Sequence, residues 1–169
     1  SDIDQAHFVF AIHAHLPNES DFITLEVLDA YLANGMSSKL FLKIREEKSL
    51  AYAVRSSLSA EKNYSYYSIY VGTTKSSIPE VKKIIIEEFE NVKNMTEKDL
   101  KEAKERLIGL KKISAEESLN VMGQLLYYEL ATKAEEYYTH EEKIKKITLD
   151  EVKKLAQIKS YSTAAIIPK

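Results

Sequence analysis

From Ala6 to Leu16 apolar and polar positions alternate: Phe8, Phe10, Ile12, Ala14 and Leu16 fall on one side, His7, Val9, Ala11, His13 and His15 on the other. That period of two predicts a strand with one core face. Pro17-Asn18 breaks it, and Asn18 or Ser20 is placed to cap a helix carrying Leu25, Leu28, Ala30, Tyr31 and Leu32, which Gly35 stops. Ser37-Ser38 can cap a short amphipathic helix, after which a Lys48-Ser49 turn leads into a strand near Leu50. Residues 50–60 and 64–73 read as two strands joined by Glu61-Lys62-Asn63, an antiparallel hairpin. Tyr67, Ile69 and Val71 give the second strand its apolar face, while in the first Leu50, Tyr52, Val54 and Leu58 share a side, so periodicity groups Tyr52 with the packing residues.

From Ile78 the period changes to that of helices. Pro79 suits a first turn, and Val81, Ile84, Ile85, Phe89 and Val92 recur at helical spacing. Thr96-Glu97-Lys98-Asp99 has the form of a capping box with aspartate in place of glutamate, opening a helix expected to bury Leu100, Ala103, Leu107 and Leu110. Further helices are predicted over 118–131, 135–146 and 149–157, their lysine and glutamate runs forming solvated faces, and residues 161–167 form a last strand returning to the sheet. The order β-α-α-β-β, several helices, then β predicts one α+β domain over 1–169, an antiparallel-type sheet covered on one face by helices.

Composition narrows the function. A length of 169 residues with 44% hydrophobic content provides for one substantial core. The formal charge of -2, with both signs interspersed, offers no field to gather nucleic acid or an anionic membrane, so neither is expected as a partner. The tyrosines at 64, 66, 67 and 70 lack the basic groove that a base-stacking platform requires. No cysteine is present, which agrees with a reducing cytoplasm, the expected location. No apolar run approaches the ~20 residues of a membrane span, and the first residue, Ser1, suggests a processed product or a fragment of something longer. His13 and His15 project to one side of their strand, yet no cysteine or acid at ligand spacing completes a zinc site. His140-Glu141-Glu142 lacks a second histidine, and there is no nucleophile elbow, P-loop or dinucleotide fingerprint. No metal and no autonomous enzyme are expected of this chain alone.

The most informative stretch runs from Asn34 to Tyr52. Arg45 and Tyr52 flank a helix-to-strand corner that can direct a guanidinium fork and a phenolic hydroxyl into one pocket. Equally, the arginine complements a helix C-terminus and the tyrosine packs on a strand. The run Asn34-Gly35-Met36-Ser37-Ser38-Lys39-Leu40-Phe41, followed by Ile44-Arg45-Glu46-Glu47-Lys48-Ser49-Leu50-Ala51-Tyr52, resembles the C-terminal, metal-free half of the pitrilysin and mitochondrial processing peptidase family of zinc proteases, the inverzincins, insulinase-like enzymes among them. Asn34 and Lys39 stand where that family often has glycine and arginine. Ile69-Tyr70-Val71-Gly72-Thr73, the Thr96–Leu100 helix start with Ala103-Lys104, Glu117-Ser118, and Ile147–Val152 follow in the expected order.

The resemblance implies a domain inactive alone that closes a substrate chamber over a partner half carrying H-x-x-E-H and the zinc. It implies that Arg45 and Tyr52 contact the peptide substrate and its transition state, Tyr52 facing the chamber. A proteolytically dead scaffold subunit of the same family is the competing reading, and self-association is a further expectation.

Overall fold

Residues 5–19 and 21–168 are described by the computed structural model of the chain; Ser20, one of the two expected helix caps, lies outside them. The alternating first stretch forms β1 (Ala6–His13), and the hairpin forms β2 (Ala51–Ala60) and β3 (Ser65–Thr73). The last stretch is β4 (Ser162–Ile166), and the strands lie in the order β2-β3-β1-β4, antiparallel at every pairing. Helices α1 (Asp21–Leu32), α2 (Ile78–Asn91), α3 (Glu97–Ser114), α4 (Ser118–Ala131), α5 (Glu136–Lys146) and α6 (Leu149–Leu155) follow the predicted segments. A seventh helix, over Phe41–Glu47, is a π-helix.

Every other residue of the central strands turns to the helices. Phe8 and Phe10 of β1, Tyr67, Ile69 and Val71 of β3 and Val54 of β2 are buried in one core with Leu25, Val27, Leu28 and Leu32 of α1. Phe89 of α2 stacks on Phe10 with ring centroids 6.0 Å apart. Full burial of side chains this size contributes roughly 1.5–3 kcal/mol each, and α1, packed against α3, α5 and α6, forms the centre of the helical layer. A buried polar link ties sheet to helices, the Tyr67 hydroxyl of β3 donating to Asp29 of α1 at 2.7 Å, and within the helical layer His140 Nε2 of α5 lies 2.6 Å from Glu26 of α1.

The capping box expected at α3 closes, and a second is found at α6. Thr96 accepts from the Asp99 amide while its own amide donates to the Asp99 carboxylate, and Thr148 with Glu151 repeats the arrangement at α6. The apolar register of α3 is shorter than its sequence predicts. Leu100 and Ala103 are buried and Leu107 is partly buried, but Leu110 is exposed, because the last turns of α3 extend past the core. Helix α4 buries none of its residues.

Candidate functional site

The corner between α1 and β2 is built by a series of departures from regular geometry. Gly35 takes φ +88°, a left-handed value at little cost only to glycine. The Ser38 hydroxyl then donates to the Gly35 carbonyl at 2.7 Å, so this serine braces the turn and Ser37 instead accepts from Arg106. Beyond it, Leu40, Phe41 and Ile44 are pulled into the core. The helix widens to π geometry, the Lys48 amide reaching back five residues to the Lys43 carbonyl at 3.2 Å. Lys43 is held against α2 by an ion pair with Glu88 at 2.5 Å, a hydrogen bond that raises the lysine above its ordinary pKa. Ser49 has φ +52°, and the corner is fastened on either side of it by the Leu50 amide on the Ile44 carbonyl at 2.9 Å and the Thr73 hydroxyl on the Leu50 carbonyl at 2.5 Å.

Arg45 points out of this corner. Its guanidinium carbon lies 5.0 Å from the centre of the Phe41 ring, and its Nε is 3.8 Å from Glu46. The side chain therefore rests along its own helix with its donors open to solvent.

Tyr52 is placed differently from what periodicity predicts. Ala51 pairs with Thr73 and Ala53 with Gly72, so Tyr52 is the extra residue of a β-bulge. The bulge takes it out of phase with Val54 and sets it on the sheet face away from the helices, 47% exposed, with its ring over Gly72. An added Cβ on Gly72 would meet that ring at 2.5 Å. On the same face His7 pairs across from Gly72, and Arg55 and Val9 flank Tyr70. The Tyr70 hydroxyl and His7 Nδ1 are 2.8 Å apart, and their rings stack.

Arg45 and Tyr52 thus occupy the two ends of one corner, both substantially exposed, and among the described residues no hydrogen bond joins them. The histidines do not assemble. His13 ends β1 opposite Tyr66, whereas His15 lies beyond the strand within 3.4 Å of Glu19 and 3.8 Å of Asp21. His140 is buried against Glu26. Among the described residues no group of three or more His, Cys, Asp or Glu side chains is arranged to hold a metal, so the donor set does not fit zinc. Sequence reasoning missed the bulge, the π-helix and the role of Gly72. A lone glycine inside a strand pattern is the signal that marks a bulge or a close approach.

A family model described as the peptidase M16 inactive domain matches residues 1–107. The chain belongs to this family. It is 30% identical over 125 residues to an uncharacterised zinc protease of Bacillus subtilis, YmxG, covering 73% of this chain and 31% of that protein. It is 33% identical over 113 residues to a non-peptidase homologue from Helicobacter pylori, covering 64% of this chain and 26% of that protein. A protease from Helicobacter pylori shares the fold with a TM-score of 0.88 at 17% identity, covering 98% of this chain and 42% of that one. This M16 inactive domain therefore spans well under half the length of these proteins.

Proposed function

We propose that this chain is the non-catalytic half of a zinc metallopeptidase and closes the substrate chamber over a half that carries H-x-x-E-H and holds the zinc. In this reading the solvated sheet face and the Arg45 corner turn toward the peptide. The Tyr52 hydroxyl and the Arg45 guanidinium donate hydrogen bonds to the scissile carbonyl as its oxygen gains negative charge, a task for which preorganised donors are best suited. The observation that carries the reading is the bulge at Tyr52, which lifts a phenol that could have joined the core onto the open face. A separate feature supports a partner. Leu119, Met122, Leu126 and Leu130 recur along one side of α4 and are each more than half exposed. An apolar stripe of this kind marks an interaction surface, and its occupant is taken to be the zinc-bearing half, since the relatives are much longer than this chain.

The test is turnover in the assembled peptidase. Tyr52→Phe and Arg45→Lys are expected to lower kcat by ~10²- to 10³-fold, the usual effect of losing one oxyanion donor, with melting temperatures within a few degrees of the parent. Near-normal turnover in both variants would refute the assignment.

The second reading, a proteolytically dead interaction subunit, draws support from the relative named a non-peptidase homologue. It predicts stable association without peptide cleavage by any assembled pair. The presence or absence of H-x-x-E-H in the partner half separates the two.

A further inference from the structure

We infer that Gly72 is the positioning residue for Tyr52: its missing side chain is the seat on which the phenol ring lies. The effect on turnover rests on the reading of Tyr52 given above, whereas the seat itself is independent of it.

Gly72 sits inside β3, paired with Ala53 on one side and His7 on the other. Its φ is outside the left-handed region, which among the described glycines only Gly35 occupies. Backbone conformation therefore gives no reason for glycine here, and a strand interior is a position where glycine is disfavoured. Space gives the reason. A Cβ at this position would lie 2.5 Å from Tyr52 Cε2, 2.9 Å from Cζ and 3.1 Å from the hydroxyl oxygen. The first two are closer than real contacts come, so the ring would have to swing off this position about its side-chain bonds. The other glycines differ: an added Cβ meets nothing within 4 Å at Gly35, Gly109 or Gly123.

The seat also explains the bulge. In a regular ladder without the bulge, the Tyr52 side chain would fall on the same side as Val54 and enter the core. The bulge turns the ring to the open face, and the empty position on the neighbouring strand lets it come close to the backbone. Lying there, the ring covers Gly72, which is itself buried. Tyr70 two residues along β3 and His7 across from Gly72, hydrogen-bonded to each other, stand beside the seat on the same face. The hydroxyl is thus presented from a ring supported underneath, the arrangement a preorganised donor requires.

The first experiment uses the 169-residue chain and a thermal double-mutant cycle. Gly72→Ala is expected to lower Tm by several degrees in the parent. In a Tyr52→Ala background the same change is expected to be neutral or to raise Tm, because alanine suits a strand better than glycine once the ring is gone. An equal loss of Tm in both backgrounds would overturn the inference. The second experiment measures the assembled peptidase. Gly72→Ala should lower kcat by about the same factor as Tyr52→Phe, on the order of 10²-fold, with KM nearly unchanged, and the double variant should be no worse than Tyr52→Phe alone. If Tyr52→Phe is crippled and Gly72→Ala turns over normally, the positioning role is refuted. If Tyr52→Phe itself turns over normally, the oxyanion assignment fails, and the thermal cycle alone then decides whether Gly72 seats the ring.

Discussion

Replacing Tyr67 by Phe tests how the sheet is joined to the helical layer. The Tyr67 hydroxyl is buried and donates at 2.7 Å to Asp29 of α1, itself buried, whose carboxylate is also bonded by Ser56 and Asn34. The substitution keeps the ring and its packing and removes one donor from a buried carboxylate. Hydrogen bonds to charged groups contribute about 1.5–3 kcal/mol, so the expected loss is ~2 kcal/mol. For a chain of 169 residues that corresponds to a fall in Tm of about 4–8 °C. The pH dependence follows from the same contact. Burial pushes the Asp29 carboxyl above its ordinary pKa, and the hydrogen bonds from Ser56 and Tyr67 pull it back down. Because the folded value lies above the unfolded one, stability is lost as pH rises through the interval between them. Deleting the Tyr67 donor raises the folded value further, so the penalty should be larger at pH 7 than at pH 4. Urea titrations at both pH values, with a constant slope showing that the unfolded state is unchanged, measure it. A fall of less than 1 °C at pH 7 would show that the bond contributes nothing to stability, and an equal penalty at pH 4 would show that its contribution does not depend on the charge of Asp29.

Thr96→Ala and Thr148→Ala should each cost about 1 kcal/mol by opening a capping box. Their threonine partners hold Asp99 and Glu151 below the ordinary carboxylate range. The stability tied to these carboxylates is present above their unfolded pKa and disappears as pH falls through the lowered folded values, so urea midpoints should show the two penalties shrinking in acid. Leu119→Glu combined with Leu126→Glu should leave the chain's stability within about 0.5 kcal/mol, as exposed positions do, while weakening association with the zinc-bearing half at least tenfold in sedimentation or calorimetry; unchanged association would remove α4 from the interface.

Much of the fold was legible because its signals are local. Alternation located β1 and the hairpin, and the threonine-to-acid spacing located the start of α3. The family resemblance was legible for the same reason, since its motifs are short runs in a fixed order. What could not be read depends on partners distant in sequence. A bulge is a property of two paired strands, so the periodicity of β2 alone left Tyr52 in phase with Val54, and only the family resemblance implied otherwise, while Gly72 on the neighbouring strand is the local mark of the bulge. The widening of the helix over Phe41–Glu47 was invisible because Leu40, Phe41 and Ile44 fit α spacing equally well. The contact between Glu26 and His140 bridges 114 residues, and neither residue carries a local sign of it. Helix α4 was predicted at its observed bounds, but its exposed apolar side became evident only when the core proved to be complete without it.

A solvated sheet face is common in antiparallel sheets and by itself argues no function. The distribution of irregular geometry is more informative. β1 pairs regularly with both of its neighbours and β3 is irregular only where it meets β2, yet the segment from Phe41 to Ala53 holds a π-helix, a serine at φ +52° and a bulge, and it faces the one glycine in the sheet. A left-handed non-glycine residue costs roughly 1–2 kcal/mol, and a glycine within a strand about 0.5–1 kcal/mol relative to alanine. Against a net stability on the order of 5–15 kcal/mol for a domain, these are substantial. A tyrosine needed only for packing would avoid the bulge and the glycine by staying in phase with Val54 and entering the core beside Leu50 and Leu58. The geometry of this corner instead brings Tyr52 out of the core, onto a supported seat on the open face. Strain concentrated on the presentation of one hydroxyl supports the proposed binding or transition-state role over a packing role.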